Sequence, residues 1–576
     1  MCTPSFLSRQ GDLLRSFLPR TSMVEGPHRR DSANDCGDSV CRAVCFFCTS
    51  FLFGIFVTAA LPLQAEESDT NVNAIVTVID KRIRDEWQTS GITPAEKCTD
   101  TVFVRRLYLD LAGRVPTVSE LQTWLADETS DKPENLVDLL LNSEDHVQHF
   151  ADTFDTLLMG RGQSSDYDQR RKHQWRAWLE RVFRENRPWN KVIEDLLLAR
   201  PESDSDQGAV WFLYERTNNH QEIAEAIAPA FFGVRIECAQ CHDHMGAAEI
   251  KQSHYWGLVA FFSRGTNTNT KNGPRVGESA IGGFSDFANL EGSSTPNLLT
   301  FFDVETIDEP RPDKDEKQDD SEELYSLASR DGDPRVPKFS RRQQFADTVT
   351  ANHPLIARAA VNRIWAMLMG RGIVHPFDEM DSMHDPSHPE LLHSLAENFR
   401  MSNYDMRKLV RSIALSRPYR LSSRAPEQAT DPASFAWYLE RPLTAEQLAR
   451  SIQLTIRGKF QNDSLLVDRI RQRIPDVLPD ENITTVKDAM FLTNSEALNG
   501  IISNNDDPAH LVTRLAGLAS HGDRVDLLFL TFYGRQAADD ERSKIIDYLG
   551  RDKLTRQRIE QVIWSMAASA EFRFNH

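Results

Sequence analysis

The sequence predicts an all-α, mainly helical protein in which two helical domains are joined by an irregular, acidic, partly β insertion. Apolar side chains recur at helical spacing over residues 66–265, and this spacing returns over residues 340–576. Residues 266–339 interrupt it, first with Gly, Asn and Thr and then with a run of acids. Such an interruption of helical periodicity predicts an insertion with short strands and a solvated linker.

Residues 1–65 have the pattern of a secretory signal peptide. The segment Ala43–Leu63 is uncharged and strongly apolar, it follows Arg42, and a small-residue cleavage site ends at Ala65. About 20 apolar residues can also span a bilayer, so an uncleaved membrane anchor through residues 43–63 is the alternative. Both alternatives predict an extracytoplasmic location, periplasmic or secreted, for the rest of the chain.

Helix signals are clear in the first helical domain, residues 66–265. Thr117-Val-Ser-Glu120 has the pattern of a capping box, in which the first and fourth side chains bond each other's backbone N–H groups. Trp175, Trp178 and Leu179 fall on one stripe of a second helix. Helical spacing explains these aromatic residues as core, so they are not interpreted as a ligand platform.

The second helical domain, residues 340–576, shows the same kinds of signal. Ser387-His-Pro-Glu390 and Thr444-Ala-Glu-Gln447 are two further capping-box patterns. Asn352 is predicted to cap a helix that ends at Gly370.

A faint internal echo links the two ends of the chain. Leu107–Arg114 (LYLDLAGR) resembles Leu528–Arg535 (LFLTFYGR), and an acidic helix start follows each segment. One recurrence is too little for a repeat protein. Two helices that happen to end in Gly-Arg remain an equal alternative to a duplicated unit, because Gly is the commonest helix stop.

Charge and missing motifs exclude several classes of function. The formal net charge is −19, and no stripe of Lys or Arg reverses it locally, so nucleic-acid binding is not expected. The sequence also lacks a G-x-S-x-G elbow, a phosphate loop and a G-x-G-x-x-G turn. Ordinary hydrolase, kinase and dehydrogenase chemistry is therefore without support, and whether the protein is an enzyme stays open.

The segment Cys238-Ala-Gln-Cys241-His242 carries the clearest chemistry. It is a C-x-x-C-H motif, the attachment pattern of c-type haem. Two thiols one helical turn apart can each bond one vinyl group at the same edge of the ring, and the adjacent imidazole can ligate the iron from below. The motif predicts a haem c cofactor held by Cys238, Cys241 and His242, with an extracytoplasmic electron-transfer role and a redox partner protein.

Other uses of these cysteines remain open. Cys238 and Cys241 could form a disulfide, or one thiol could be a nucleophile activated by His242 or His244. Beyond the leader only Cys98, Cys238 and Cys241 remain, and with His242 or His244 they would complete a tetrahedral zinc site. A structural cluster of this kind would favour the second hypothesis, a non-catalytic extracytoplasmic binding or scaffold protein.

A second axial ligand for the iron cannot be assigned from spacing. Met245 is too close to His242 in sequence to reach the opposite face easily, which leaves His254, His220 and Met159 as candidates. The segment His384–Glu390 also gathers imidazoles and carboxylates, but a helix start explains it better than a metal site.

Several segments resemble a pair of known domains. The planctomycete cytochrome-like domain of unknown function is matched by Phe103–Thr117, Phe232–His244 and Tyr255–Phe262. The planctomycete-specific C-terminal domain that usually follows it is matched by Val361–Trp365, Gly370–Val374, Pro386–Leu392 and Arg441–Leu448.

The resemblance implies an exported bacterial protein and a cytochrome-like character that rests on the C-x-x-C-H motif. It implies no established activity. Members typically continue His-Asp-His-Pro-Phe, whereas here Met245 and Gly246 follow His244. The loop beneath the implied cofactor therefore departs from the family's pattern.

Overall fold

The computed structural model describes residues 63–313, 316–326, 333–427, 431–460, 465–474, 478, 495–503, 507–551 and 553–576. The predicted signal segment before Leu63 lies outside these residues. Within the described part of the chain, no helix is both long and apolar enough to cross a membrane. The chain from Val72 to His576 is one compact unit by its internal contacts, and of Met1–Asn71 only the first turns of a helix are described.

The first half of the chain is helical up to residue 262. Its α-helices are α1 Leu63–Thr89, α2 Asp100–Ala112, α3 Val118–Ala126, α4 Lys132–Leu141, α5 Glu144–Met159, α6 Ser164–Lys172, α7 Trp175–Arg184, α8 Trp189–Leu198, α9 Trp211–Tyr214, α10 His220–Ile227 and α11 Gln252–Phe262. Short 3₁₀ turns at Asp204–Val210 and Glu237–Gln240 and a π turn at Ala228–Phe232 connect them. The Thr117–Glu120 capping box is confirmed at the start of α3, and Trp175 and Trp178 are buried.

Short antiparallel strand pairs follow. The strands are β1 Gly265–Thr270, β2 Gly273–Glu278, β3 Asp286–Ala288, β4 Ser294–Pro296, β5 Leu299–Phe301, β6 Val304–Ile307, β7 Tyr325–Ser326 and β8 Val336–Pro337. Each strand pairs with its sequence neighbour, so this region is a series of hairpins. The prediction of a mainly helical fold with a strand-containing insertion is confirmed.

Helices return at residue 341. They are α12 Arg341–Asn352, α13 Pro354–Met369, α14 Pro389–Met401, α15 Met406–Ala414, α16 Ala445–Arg457, α17 Leu465–Arg471, α18 Glu496–Ser503, α19 Leu511–Gly517, α20 His521–Phe532, α21 Asp539–Gly550, α22 Arg556–Ala567 and α23 Ala570–Arg573. Strand β9 Arg441–Pro442 pairs with β10 Phe574–Asn575.

In the second helical region, two predicted helix starts are wrong and one is confirmed. Asn352 is the last residue of α12, and His353 caps α13 because Pro354 presets the first helical turn. At α14 the cap is His388, whose side chain makes no capping bond, so Ser387 does not open a capping box. The Thr444–Gln447 box is confirmed, as is the stop at Gly370, which adopts left-handed backbone.

One continuous hydrophobic core runs from Ile75 to Tyr438, so both helical regions contribute to it. Polar contacts also join distant parts of the chain. The Arg105 guanidinium donates to the carbonyls of Phe532 (3.0 Å) and Phe572 (3.0 Å). The end of the chain is thereby held against α2.

Candidate functional site

The C-x-x-C-H segment lies between α10 and α11. Gly233, in left-handed backbone, ends the π turn, and Glu237–Gln240 then forms a single 3₁₀ turn. Ala239 is buried in the core, whereas Cys238 and Cys241 on either side of it are exposed free thiols. The buried alanine fixes the turn, and both sulfurs face outward.

His242 is held in one orientation. Its ring is half-buried, and Nδ1 lies 2.7 Å from the carbonyl oxygen of Asp243. A carbonyl can only accept, so Nδ1 carries a proton in this contact, and in the neutral imidazole Nε2 then keeps the lone pair. A neutral imidazole with one nitrogen fixed by a carbonyl is the usual state of a metal-ligating histidine.

His244 shapes the loop that follows. Its Nδ1 accepts from the backbone N–H groups of Gly246 (3.2 Å) and Ala247 (2.8 Å). The backbone N–H of His244 donates to the carbonyl of Ile250 (2.8 Å), which closes the loop. His244 is therefore a turn-forming residue here, and its Nδ1 is already engaged.

Three further residues hold the segment in place, and the motif alone did not reveal them. Buried Gln252 donates through Nε2 to the carbonyl of Gln240 (3.2 Å), and its backbone N–H donates to the Asp243 carboxylate (2.8 Å). Trp256 Nε1 donates to the same Gln240 carbonyl (3.0 Å). All three lie close to the motif in sequence, but only the fold shows that they converge on it.

A loop of the second helical region, residues 378–384, docks against this segment. Arg235 pairs with Asp378 (2.9 Å) and Glu379 (3.0 Å). The Ser382 N–H (2.6 Å) and hydroxyl (2.8 Å) both donate to Glu249. The C-x-x-C-H segment is therefore fastened on the side of the second region as well.

Two methionines lie beside the motif. Met245 is 92% exposed and Met383 is 57% exposed. A Cβ on Gly246 would come within 2.1 Å of the Met383 sulfur, so Met383 occupies the space that a side chain at position 246 would need. In the same loop His384 is bound between Glu379 (3.2 Å) and Asp381 (2.9 Å), so carboxylates engage both of its ring nitrogens.

The zinc set Cys98, Cys238, Cys241 and His244 is not brought together. Cys98 is buried in the core, its N–H donates to the Arg420 carbonyl (2.9 Å), and burial raises the pKa of its thiol. Over the described ranges, no three His, Cys, Asp or Glu side chains are grouped so that they could hold a metal ion.

The three candidates for a second axial ligand have other contacts. His220 Nε2 lies 3.2 Å from the carbonyl of Gly265, and the His254 ring packs against Phe302 with its centroid 5.1 Å away. The Met159 sulfur accepts from Arg216 (3.7 Å). Sequence spacing did not point to Met383, which tertiary contact places against Gly246, in the loop that follows the motif.

Comparison with known proteins identifies two domains. PSCyt2, described as a protein of unknown function (DUF1549), matches residues 78–267, which include the C-x-x-C-H segment. PSD1, described as a protein of unknown function (DUF1553), matches residues 341–465, which include the docking loop 378–384. No curated protein and no solved structure matches the chain. The resemblance found in the sequence is confirmed: a region that matches the PSCyt2 model is followed by a region that matches the PSD1 model.

Proposed function

We propose that this chain is an extracytoplasmic c-type haem protein that exchanges electrons with a redox partner protein. Cys238 and Cys241 are the thioether anchors, and His242 is the proximal iron ligand. The observation that carries the proposal is the arrangement of the motif: two outward-facing free thiols on one fixed turn, followed by an imidazole whose Nε2 is left for iron.

The chain supplies the two thiols that attachment needs. Each thiol would add across one vinyl double bond, with the sulfur bonding one carbon and the proton going to the other, so no oxidant would be consumed. The Asp243 carbonyl holds the imidazole in the tautomer that leaves Nε2 free. When bound, haem would supply a one-electron iron couple. The Met383 sulfur lies against Gly246, in the loop that follows the motif, and a thioether is a donor that haem iron accepts.

A structural role of the cysteines is the second candidate. The observation that favours it is the docking of residues 378–384, because ion pairs and hydrogen bonds already fasten the segment on both sides. A Cys238–Cys241 disulfide would stiffen this junction in a scaffold protein without any cofactor.

Expression of the full chain in a bacterial host with an active haem-attachment pathway tests the proposal. We expect red protein whose haem survives denaturation and gives a haemochrome spectrum. Cys241→Ser removes one anchor and is expected to abolish two-point attachment. Cys98→Ser is the matched control, because that thiol is buried and is not part of the motif, so its loss is expected to leave attachment intact.

Colourless protein from a host that loads a reference cytochrome would overturn the haem proposal. Mass spectrometry of the same sample then tests the second candidate, which expects a mass lower than that of the reduced chain by two hydrogen atoms. Cys241→Ser is expected to show the mass calculated for its own reduced chain.

A further inference from the structure

The β1–β2 hairpin borders two adjoining cavities, of about 480 Å³ and about 160 Å³. Glu278 and Asp333–Arg335 line both, so the two form one cleft. The larger cavity alone is within the range of about 300–1,000 Å³ that is usual for small-molecule sites. The C-x-x-C-H segment is not part of its lining, so a ligand could bind in this cleft whether or not the protein carries haem.

Arginines line the smaller end of the cleft. Two of them have carboxylate partners of their own: Arg275 pairs with Asp333 (2.6 Å), and Arg335 pairs with Asp320 (2.9 Å). The other two, Arg200 and Arg342, share a single carboxylate.

That carboxylate is Glu278. It lies 2.7 Å from Arg200 and 3.5 Å from Arg342, and its side chain is 1% exposed. The Arg342 side chain is also 1% exposed, and in the described part of the chain its Nη1 has no hydrogen-bond partner. Burial and repulsion from Arg342 lower the pKa of Arg200 to about 10. Among the described residues, Arg200 and Arg342 therefore have one carboxylate between them, and an unbalanced charge is costly in a buried setting.

The N-terminus of α12 adds a partial positive charge beside Arg200 and Arg342. Ser340 caps the helix and also accepts from Arg200 (2.7 Å) while donating to Glu278 (2.6 Å). The partial positive charge of a helix N-terminus favours an anion nearby. Arg200, 21% exposed, is the guanidinium that an incoming anion can touch.

Hydroxyl groups line the larger end. Thr266, Thr268 and Thr270 alternate along β1 and therefore share one face of the strand. Thr266 and Thr268 are exposed, and Ser279 and Tyr325 lie on the other side. The carboxylates of Asp320 and Asp333 also line this end, each paired with an arginine. A surface of hydroxyls suits a ligand with several hydroxyls of its own.

We propose that this cleft binds a small polyhydroxylated carboxylate, such as a hexuronic acid. The carboxylate of the ligand lies at Arg200 and balances the second positive charge of the Arg200–Arg342 pair, since Glu278 balances only one. The hydroxyls of the ligand lie along Thr266 and Thr268. Binding is non-covalent, and the ligand is recognised by charge at one end and by hydrogen bonding at the other.

Isothermal titration calorimetry of the full chain with D-glucuronate, propionate and D-glucose tests the proposal. We expect one site for glucuronate, weaker binding of propionate, and no binding of glucose. Absence of glucuronate binding would overturn it, as would equal binding of glucose, because the excess charge would then play no part.

Two charge variants have opposite expected effects. Arg200→Gln removes the excess charge and should weaken glucuronate binding at least tenfold. Glu278→Gln enlarges the excess and should tighten it. If Arg200 and Glu278 only hold α12 to the hairpin, both variants weaken binding together, which would overturn the proposal.

Thr268→Val is a milder variant at an exposed strand position, and Val is well tolerated in strands. We expect it to weaken glucuronate binding several-fold and to leave propionate binding unchanged. An equal effect on both ligands, or no effect on either, would overturn the assignment of the hydroxyl end.

Discussion

Hydrogen bonds of single residues fix the geometry of the candidate site. The motif predicts that Cys238, Cys241 and His242 hold a cofactor. The structure adds that the Asp243 carbonyl lies 2.7 Å from Nδ1 of His242 and that Gln252 donates to the carbonyl of Gln240 in the turn. Asp243 serves twice, through its carbonyl and through its carboxylate. Such contacts give a surface motif a defined geometry, which a flexible loop would lack.

Buried histidines make the stability of the protein dependent on pH. His146 lies in the core, its Nδ1 is 2.9 Å from the carbonyl of Leu111, and burial lowers its pKa to about 3. The unfolded chain binds this proton near pH 6.5, so between about pH 6.5 and about pH 3 the unfolded state holds the extra proton. Stability therefore falls as the pH falls through this window.

We expect His146→Asn to flatten this dependence, because the amide can keep the bond to Leu111 without titrating. Below about pH 6, the free energy of unfolding of the variant should fall less steeply with falling pH than that of the wild type. The difference in slope should be up to about 1.4 kcal/mol per pH unit. Urea denaturation at a series of pH values measures the free energy of unfolding of both proteins. Parallel curves for the two proteins would show that His146 does not titrate differently on folding.

At the scale of elements, the faint echo in the sequence corresponds to the same local structure at both ends of the chain. Gly113 and Gly534 both have left-handed backbone, with φ of 67° and 68°. The arginine after each glycine then forms a two-pronged bond: Arg114 to Glu120 at 2.9 and 2.8 Å, and Arg535 to Glu541 at 2.7 and 2.8 Å. The helix–Gly-Arg–helix unit therefore occurs twice as a structure, and the two units differ in what surrounds the glycine.

Replacement of Gly113 and of Gly534 by alanine separates the cost of backbone strain from the cost of a steric clash. A Cβ on Gly113 would lie 2.6 Å from the His149 ring, whereas on Gly534 its nearest neighbour is Leu121 at 3.6 Å. We expect Gly534→Ala to cost about 1 kcal/mol of unfolding free energy from backbone strain alone. Gly113→Ala should cost about 2–4 kcal/mol, since overpacking adds to the strain.

Chemical denaturation of both variants measures the difference. Equal losses would mean that the His149 ring moves aside without cost.

At the scale of the whole molecule, a buried polar cluster joins the two helical regions. Asp110 of α2 accepts from Arg441, from the Tyr419 hydroxyl (2.8 Å) and from the Asn575 amide (2.7 Å). The Asp110 side chain is 1% exposed. The four residues come from three distant parts of the sequence, so the cluster exists only in the complete fold.

Asp110→Ala would leave the Arg441 charge buried without its carboxylate. We expect a loss of about 3–5 kcal/mol of unfolding free energy, and a partial recovery in Asp110→Ala/Arg441→Met, which removes the unpaired charge. Asp168→Ala is the control, because its exposed pair with Arg171 should contribute less than about 1 kcal/mol. A double variant no more stable than the single one would contradict this account.

Local pattern in the sequence was enough to establish the mainly helical class, the strand-containing insertion, the two domain families and the C-x-x-C-H motif. Each of these depends on helical periodicity, on turn-forming residues, or on a few side chains at short spacing. Local pattern failed at Asn352 and Ser387, where the capping residues turned out to be His353 and His388.

The meeting of distant groups depends instead on the tertiary structure. The fold buries Cys98 and leaves Cys238 and Cys241 exposed, brings Met383 to Gly246, and sets Arg200 and Arg342 around the single carboxylate of Glu278. Arg235 and Asp378, which fasten the docking loop to the motif, are 143 positions apart along the chain. Burial of one shared core fixes such encounters, and no periodicity in the sequence encodes them.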